Sequence, residues 1–397
     1  MVAKKSCFNM LSLFFGVYYL DKSIIYTKFA ALSLYIMTKS GLDPKRFETI
    51  IDGKNTALYT LQNNQGMEVC ISNYGGTIIS VMAPDRNGHL ANVVLGYDNI
   101  ETLTHAPEPT FGCTIGRYGN RIARGQFSLQ GHTYQLPLSQ APNCLHGGMK
   151  GFHYKVWDVL EHTAQSLRIG YVSPDGEEGF PGTLTCEVTF SLTDDNAIRI
   201  EYKATTDQLT LCNLTNHSYF NLAGLTDGQP APVITDHVMT MQSDEFIPVD
   251  ATCIPLGGRA KVEGTPFDFR TPHTLGERID ADDEQIRNGA GYDHCYCVRG
   301  NEGNVNAQGE TLFCTVEHPA SGRTLTMYTN EPGVQLYTAN WLNGFAAING
   351  TTCPRRSAFC LEAQKHPDSP NHPEFEQATL APGETYRSVA VYKFGTK

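Results

Sequence analysis

The sequence predicts an all-β protein built as one large antiparallel β-sandwich, and three observations support this prediction. Residues 183–190, 198–202 and 388–394 alternate along the chain with a period of two, as half-buried strands do. Turn-forming pairs such as Asp175-Gly176 separate runs of this kind. No long amphipathic helical pattern stands out. Many short strands at close spacing over about 350 residues are typical of a large sandwich.

The composition is that of a globular protein with a net negative charge. Of its 397 residues, 41% are hydrophobic and 18% charged, so a core can form. The pattern is uniform from residue 46 onward, and we predict one domain over residues 46–397 after an extension over residues 1–45. The net charge of −11 argues against nucleic acid or an anionic membrane as partner. It leaves room for a neutral small-molecule ligand, which is bound through hydrogen bonds more than by an electric field.

The first 40 residues differ from the rest of the chain. Lys4 and Lys5 precede an apolar run over residues 10–20, which is shorter than the roughly 20 residues that span a bilayer. The pattern resembles a secretory signal, but no clean cleavage site follows it. The alternative is that the true start lies at Met37. We predict no membrane span.

The 12 cysteines are scattered and show no CxxC pair. This spacing argues against a zinc site and favours buried, reduced thiols. We therefore expect a cytoplasmic protein, with export as the alternative if residues 1–40 act as a signal.

The apolar run over residues 357–361 leads directly into the carboxylate of Glu362. Pro367 and Pro370 follow and prevent regular structure. Glu362 is therefore predicted to be the last ordered residue of a strand, before a stiff loop. A carboxylate held there can be partly desolvated and still face a cleft, which suits a general base. A glutamate that merely ends a strand is the commoner case. The other motifs must therefore show whether Glu362 is structural or catalytic.

Two glycine-containing segments offer polar groups suited to a ligand. Residues 116–122 include Asn120 and Arg121, whose planar donors match sugar hydroxyls, although a structural arginine is the simpler explanation. Residues 143–148 place His146 before two glycines, which let the backbone approach a ligand closely.

A third segment, residues 214–222, is the strongest after the one that contains Glu362. It places His217 between Asn216 and Ser218, polar neighbours that could set the tautomer of the imidazole. The flanking apolar residues suggest a strand end at a buried cleft. Asp293 also precedes an apolar strand, although an ordinary turn residue would look the same.

Together these motifs resemble the aldose 1-epimerases, a family also called galactose mutarotases. The resemblance covers roughly residues 46–397, and the motifs occur in the order that the family has them. The segment from Leu361 to Asn371 is similar to the C-terminal signature of the family, with Ala363 in place of its usual threonine. The resemblance implies the supersandwich fold of galactose mutarotases.

The resemblance also implies roles for particular residues. Glu362 would be the general base and His217 the general acid of an enzyme that interconverts the α and β anomers of free hexoses. The implied substrate-binding residues are Asn120, Arg121, His146, Tyr219, Asp293 and Gln335.

The reaction opens and re-closes a cyclic hemiacetal, and it needs only one base and one acid. We therefore expect no cofactor and no metal, a small aldose as the partner, and a monomeric protein. A proton donor should be protonated near working pH, so the pKa of His217 is expected near or above about 6.5.

Three other functions remain open at this point. An epimerase of phosphorylated hexoses would use cations such as Arg117 or Arg124 at the rim of the pocket. A non-catalytic sugar-binding module could lose the acid or the base, but this chain keeps both. A glycoside hydrolase would use two carboxylates, for which Glu362 and Asp293 could be mistaken, but the segment around His217 argues against it.

Overall fold

The computed structural model describes residues 37–300 and 304–397, so the signal-like segment lies outside the described residues. Within these ranges strands dominate, and the all-β prediction is confirmed. The described residues contain two short α-helices, Ile100–Thr104 and Glu284–Gly289. The described part of the chain contains no helix with the length and apolar character needed to cross a membrane.

The largest layer is a nine-stranded sheet in which every neighbouring pair is antiparallel. Phe190 lies opposite Ile200, which lies opposite Ala390, so the three predicted runs are adjacent strands. In spatial order the strands are Asp158–His162, Ser166–Ser173, Leu184–Leu192, Ala197–Thr206, Tyr386–Thr396, Arg323–Thr329, Thr311–Glu317, Val238–Met241 and His273–Thr274.

Two smaller antiparallel sheets complete the main layers. The four-stranded sheet contains Leu58–Gln62, Glu68–Ser72, Thr77–Pro84 and Leu90–Asn92. The five-stranded sheet contains Ala260–Lys261, Glu245–Phe246, Asp293–Cys297, Gly333–Tyr337 and Cys360–Gln364. Short two-stranded pairings join Thr49–Ile51 to Lys54–Thr56, Thr114–Ile115 to Thr215–Asn216, Arg121–Ile122 to Cys144–Leu145, Gln126–Leu129 to His132–Gln135, Thr210–Leu211 to Thr379–Leu380, and Phe345–Ala346 to Thr352–Cys353.

One hydrophobic cluster joins the three sheets. It includes Val69 of the four-stranded sheet, Phe190 and Tyr392 of the nine-stranded sheet, and Leu336 and Leu361 of the five-stranded sheet. Each such side chain contributes roughly 1.5–3 kcal/mol when fully buried. Because side chains alternate across a strand, the residues next to Leu336 and Leu361 face away from this core.

The cysteines behave as predicted within the described residues. Eleven of them are present there, and all are free and buried. Cys295 and Cys297 lie on the same strand, Asp293–Cys297, two positions apart and therefore on one face. Cys7 lies outside the described residues.

The ordered body begins earlier than the predicted boundary at residue 46. The backbone N–H of Lys39 donates to Oε1 of the buried Glu68 at 2.7 Å, and that of Ser40 donates to the same oxygen at 3.3 Å. Leu42 is 1% exposed and packs in a second hydrophobic cluster with Phe47. Residues 38–45 therefore belong to the sandwich, because they satisfy a buried carboxylate and fill part of its core.

A chain that begins at Met37 is expected to be folded and active, because residues 1–36 share neither the strand pattern nor the motifs. A chain that begins at residue 46 loses Leu42 and the two N–H donors of Glu68. Its free energy of unfolding should fall by at least about 2 kcal/mol. Denaturant unfolding of the two chains measures the difference. Equal stability, or an insoluble or inactive chain from Met37, would contradict this boundary.

Candidate active site

A cleft of about 220 Å³ gathers the predicted site residues on one side of the five-stranded sheet. Of the eight predicted residues, only Gln335 does not line it. Its walls are formed by Glu108, Thr110, Asn120, Arg121, Gln140, Leu145, His146, His217, Tyr219, Asp293, Tyr337, Trp341 and Glu362.

The register of the five-stranded sheet places the acidic groups of the cleft. Gln335 lies opposite Glu362, and Asp293 lies opposite Tyr337. Opposite residues of antiparallel strands share a face, so these side chains point to the same side. Glu362 lies in the middle of the strand Cys360–Gln364 and is 2% exposed. The prediction that it is the last ordered residue of its strand is wrong, because pairing with Gly333–Tyr337 continues to Gln364.

Asp293 is held by two neighbours. The Nε2 of Gln335 donates to its Oδ1 at 2.7 Å, and the Nη2 of Arg121 lies 3.7 Å from its Oδ2. Arg121 in turn donates from Nε to Oε1 of Gln140 at 2.8 Å. Gln335 thus orients Asp293 without lining the cleft, and its direct contact with a sugar stays a prediction.

His217 directly follows the short strand Thr215–Asn216, and its backbone N–H donates to the carbonyl of Cys113 at 3.0 Å. The ring of Tyr219 stacks on the His217 ring with centroids 4.9 Å apart. Asn216 and Ser218 hydrogen-bond to each other instead of to the imidazole. Among the described residues Nδ1 of His217 has no hydrogen-bond partner, so the predicted control of its tautomer by these neighbours is wrong.

The position of His146 depends on the glycine that follows it. His146 and Gly147 both have positive φ, at 53° and 83°. A Cβ on residue 147 would lie 2.0 Å from the carbonyl oxygen of Gly116, so only glycine fits. The backbone N–H of Asn120 donates to Nδ1 of His146 at 3.2 Å. A neutral His146 ring therefore carries its proton on Nε2 and acts as a hydrogen-bond donor.

Glu362 and His217 form a close pair in the cleft, with Oε1 and Nε2 3.5 Å apart. Burial raises the pKa of Glu362 well above its usual range, and the nearby charge of Asp293 adds to this effect. Burial lowers the pKa of His217 to about 3. This direction is opposite to the expectation of a pKa near or above about 6.5, because the imidazole is buried away from water.

These two shifts favour the protonated carboxyl group of Glu362 and the neutral imidazole of His217. Transfer of that proton to His217 gives a carboxylate and an imidazolium with the same net charge. A carboxylate and an imidazolium can therefore be formed by proton transfer between the two contacting groups.

His146 is also neutral in this cleft. Burial lowers its pKa well below the usual range, and the neighbouring His217 lowers the pKa further. The two imidazole rings meet edge to face with centroids 5.2 Å apart. A neutral donor beside this close pair can assist it without competing for its proton.

Several lining residues had no signal in the sequence. The polar stretch over residues 98–109 contains the helix Ile100–Thr104 and brings Glu108 to the cleft. Tyr337 and Trp341 line the cleft from the strand Gly333–Tyr337 and the loop after it. Only the three-dimensional path of the chain identifies them.

Arg117 and Arg124 do not contribute to the cleft. The guanidinium of Arg117 is buried and donates to Ser173 and to the carbonyl of Pro181. Arg121 is the only lysine or arginine among the lining residues, and it is paired with Asp293. Among the described residues, those that line the cleft therefore offer no free cation for the phosphate of a phosphorylated hexose.

Comparison of the chain with known proteins identifies a family with the same sequence features and fold. A profile described as "Aldose 1-epimerase" matches residues 57–393. A galactose mutarotase from Mus musculus is 43% identical over 346 residues, which cover 86% of this chain and 95% of the relative. An aldose 1-epimerase from Escherichia coli is 37% identical over 346 residues, which cover 86% and 96% of the two chains.

Solved structures agree with the fold. A galactose 1-epimerase from Lactobacillus acidophilus superposes with a TM-score of 0.74 at 30% identity, covering 88% of this chain and 97% of that chain. An aldose epimerase homologue from C. elegans superposes with a TM-score of 0.77 at 28% identity, covering 86% and 99%. The predicted supersandwich of the galactose mutarotases is thereby confirmed.

Proposed function

This chain belongs to the aldose 1-epimerase family, and we propose that it interconverts the α and β anomers of free hexoses with Glu362 as base and His217 as acid. The observation that carries the residue assignment is the contact of 3.5 Å between Glu362 and His217 at the wall of a cleft. A carboxylate and an imidazole at this distance can exchange protons with the C1 hydroxyl and the ring oxygen of one hemiacetal. The names of the relatives, galactose mutarotase and aldose 1-epimerase, describe an isomerisation of this kind.

The proposed reaction moves two protons and breaks one bond. The Glu362 carboxylate takes the proton of the C1 hydroxyl, and His217 gives a proton to the ring oxygen. The bond between C1 and the ring oxygen breaks, and C1 becomes an aldehyde. After rotation about C1–C2 the steps run in reverse and close the other anomer. Each positioned acid or base contributes typically about 10²–10⁴-fold to such a reaction.

The remaining lining groups suit the binding of a neutral sugar. Arg121 and Asp293 offer a fixed donor and a fixed acceptor to hydroxyl groups. His146 offers the N–H at Nε2, whose position follows from the contact with Asn120. We assign these residues, with Asn120 and Tyr219, to substrate positioning.

Two alternatives are not favoured. An epimerase of phosphorylated hexoses needs cationic groups, and the single arginine of the cleft is already paired with a carboxylate. A non-catalytic module has no need for a buried carboxylate and an imidazole in contact, because the burial of both costs stability.

Polarimetry of freshly dissolved α-glucose and α-galactose tests the proposed function. The purified protein should accelerate the change in optical rotation of at least one of these sugars well above the spontaneous rate, without altering the final rotation. A rate equal to the spontaneous rate for both would overturn the proposal.

We propose that the reaction needs no metal or nucleotide, because proton transfer alone completes it. His146, His217 and Glu362 each place one potential ligand atom within 4.8 Å of the others. An ion there would occupy the lone pairs that the proton transfers use. Extensive dialysis against a chelator should leave the rate unchanged. A loss of rate that zinc or calcium restores would contradict this expectation.

We also propose that the protein is a cytoplasmic monomer that binds no nucleic acid. The eleven buried free thiols of the described residues support a reducing compartment, and the net charge of −11 disfavours nucleic acid. Light scattering coupled to gel filtration measures the mass in solution. A dimer peak at micromolar concentration would contradict the monomer.

A further inference from the structure

The loop after the helix Ile100–Thr104 brings a second carboxylate, Glu108, to the catalytic cleft. Its Oε1 accepts hydrogen bonds from the backbone N–H of Thr110 at 3.1 Å and from the Thr110 hydroxyl. The same hydroxyl lies 3.3 Å from the phenol oxygen of Tyr219, whose ring stacks on His217. Glu108 is thus fixed in place and linked to the reactive end of the cleft.

Glu108 also stands where two cavities meet. It lines the catalytic cleft of about 220 Å³ and an adjoining compartment of about 240 Å³, which His146 and Thr110 line as well. A substituent on a sugar bound in the first cavity has room to extend past Glu108 into the second.

The cleft carries more negative than positive groups. Glu108, Asp293 and Glu362 line it, whereas Arg121 is the only lysine or arginine and is paired with Asp293. Burial raises the pKa of Glu108, and only hydrogen bonds from Thr110 and Tyr219 oppose this. Within residues 37–300 and 304–397, none of the groups that shift its pKa is a cation.

A second carboxylate of the cleft has an oxygen without a partner. The Oε2 atom of Glu362 is buried and has no hydrogen-bond partner among the described residues. A buried carboxylate without a partner is costly, and a bound cationic group would relieve that cost. The charges of the cleft therefore complement an ammonium group on the sugar.

We propose that this cleft accepts aldohexoses that carry a protonated amino group, with Glu108 as the partner of the ammonium. The proposal rests on the proposed anomer interconversion and extends its substrates to amino sugars. The chemistry at C1 is unchanged: a proton leaves the C1 hydroxyl for Glu362, and His217 protonates the ring oxygen. The amino group is bound and does not react.

Polarimetry with 2-amino-2-deoxyglucose and 6-amino-6-deoxyglucose tests the proposal, with glucose measured in parallel at pH 6, where the amines are protonated. The wild-type protein should turn over at least one amino sugar. In Glu108→Gln, which keeps the shape and removes the charge, the ratio of kcat/KM for that amino sugar to kcat/KM for glucose should fall about 10- to 100-fold. Glu101→Gln, at an exposed position of the preceding helix, is the matched control and should leave the ratio unchanged.

The outcomes separate this proposal from the proposed function. Glucose turnover without turnover of either amino sugar overturns the amino-sugar proposal alone, as does an unchanged ratio in Glu108→Gln. Failure with every sugar overturns the anomer interconversion itself. If Glu108→Gln does not fold, Glu108→Asp retains the charge but withdraws it by one methylene, and the ratio should again fall. An unchanged ratio in that variant would also overturn the proposal.

Discussion

Replacing Glu362 with glutamine is expected to abolish nearly all anomer interconversion while the fold remains intact. The amide has almost the same shape as the carboxylate but cannot accept the proton of the C1 hydroxyl. Loss of the base should lower kcat by about 10²–10⁴-fold. The strand Cys360–Gln364 should keep its pairing with Gly333–Tyr337, because the backbone groups that form the ladder are unchanged.

The stability of this variant provides a second readout. The raised pKa of Glu362 shows that its ionised form is disfavoured by burial. A neutral amide avoids that cost, so the free energy of unfolding should be equal to or higher than that of the wild type. Polarimetry and thermal unfolding of Glu362→Gln, with Glu101→Gln as the exposed control, measure both quantities. Wild-type turnover in a folded Glu362→Gln protein would refute the role of the base.

Replacing His217 with asparagine is expected to cause the second large loss, mainly in kcat. The proton donor to the ring oxygen is removed, whereas the groups that bind the sugar hydroxyls remain. His146→Asn should lower kcat less and raise KM more, because His146 serves as a neutral hydrogen-bond donor fixed by Asn120. Steady-state polarimetry of both variants separates the two histidines.

The pH–rate profile identifies each partner of the pair. Wild-type activity requires one proton shared by Glu362 and His217, so the rate falls when the pair gains a second proton and when it loses its last one. The lowered pKa of His217 and the raised pKa of Glu362 separate the two pH values at which the rate falls. We therefore expect a broad pH range of constant rate between them.

Each variant should lose one limb of this profile. In His217→Asn the residual rate needs only the Glu362 carboxylate, so it rises with pH and the basic limb disappears. In Glu362→Gln the residual rate needs only a protonated His217, so it falls as pH rises and the acidic limb disappears. His146→Asn should keep both limbs. If the basic limb survives in His217→Asn and is absent in His146→Asn, the roles of the two histidines are exchanged.

Much of this molecule was predictable from local sequence. The alternating runs in Leu184–Leu192, Ala197–Thr206 and Tyr386–Thr396 identify half-buried strands, because side chains on a strand alternate between core and solvent. Seven of the eight predicted site residues line one cleft. They were found because their short motifs resemble those of a known family, in which the residue types and their order are specific as a set.

Other properties depend on long-range packing, which no local pattern contains. The burial of Glu362 in the middle of its strand follows from the pairing of Gly333–Tyr337 with Cys360–Gln364. The pKa of His217 is lowered, whereas the sequence led us to expect a value near or above about 6.5, because its polar sequence neighbours bond to each other and desolvation dominates. Residues 38–45 appeared to lie outside the domain until the contacts of Lys39 and Ser40 with Glu68 placed them in it.

The sequence by itself determined the strand content, the family and the chemical groups at the centre of the site. Only the tertiary structure decided which charges face one another in the cleft and how far each is removed from water. Glu108 illustrates the difference, because it follows a short helix in an unremarkable polar stretch and yet reaches the wall beside Tyr219. The energy of a charge depends on the dielectric and on the partners around it, and these are set by residues distant in the chain.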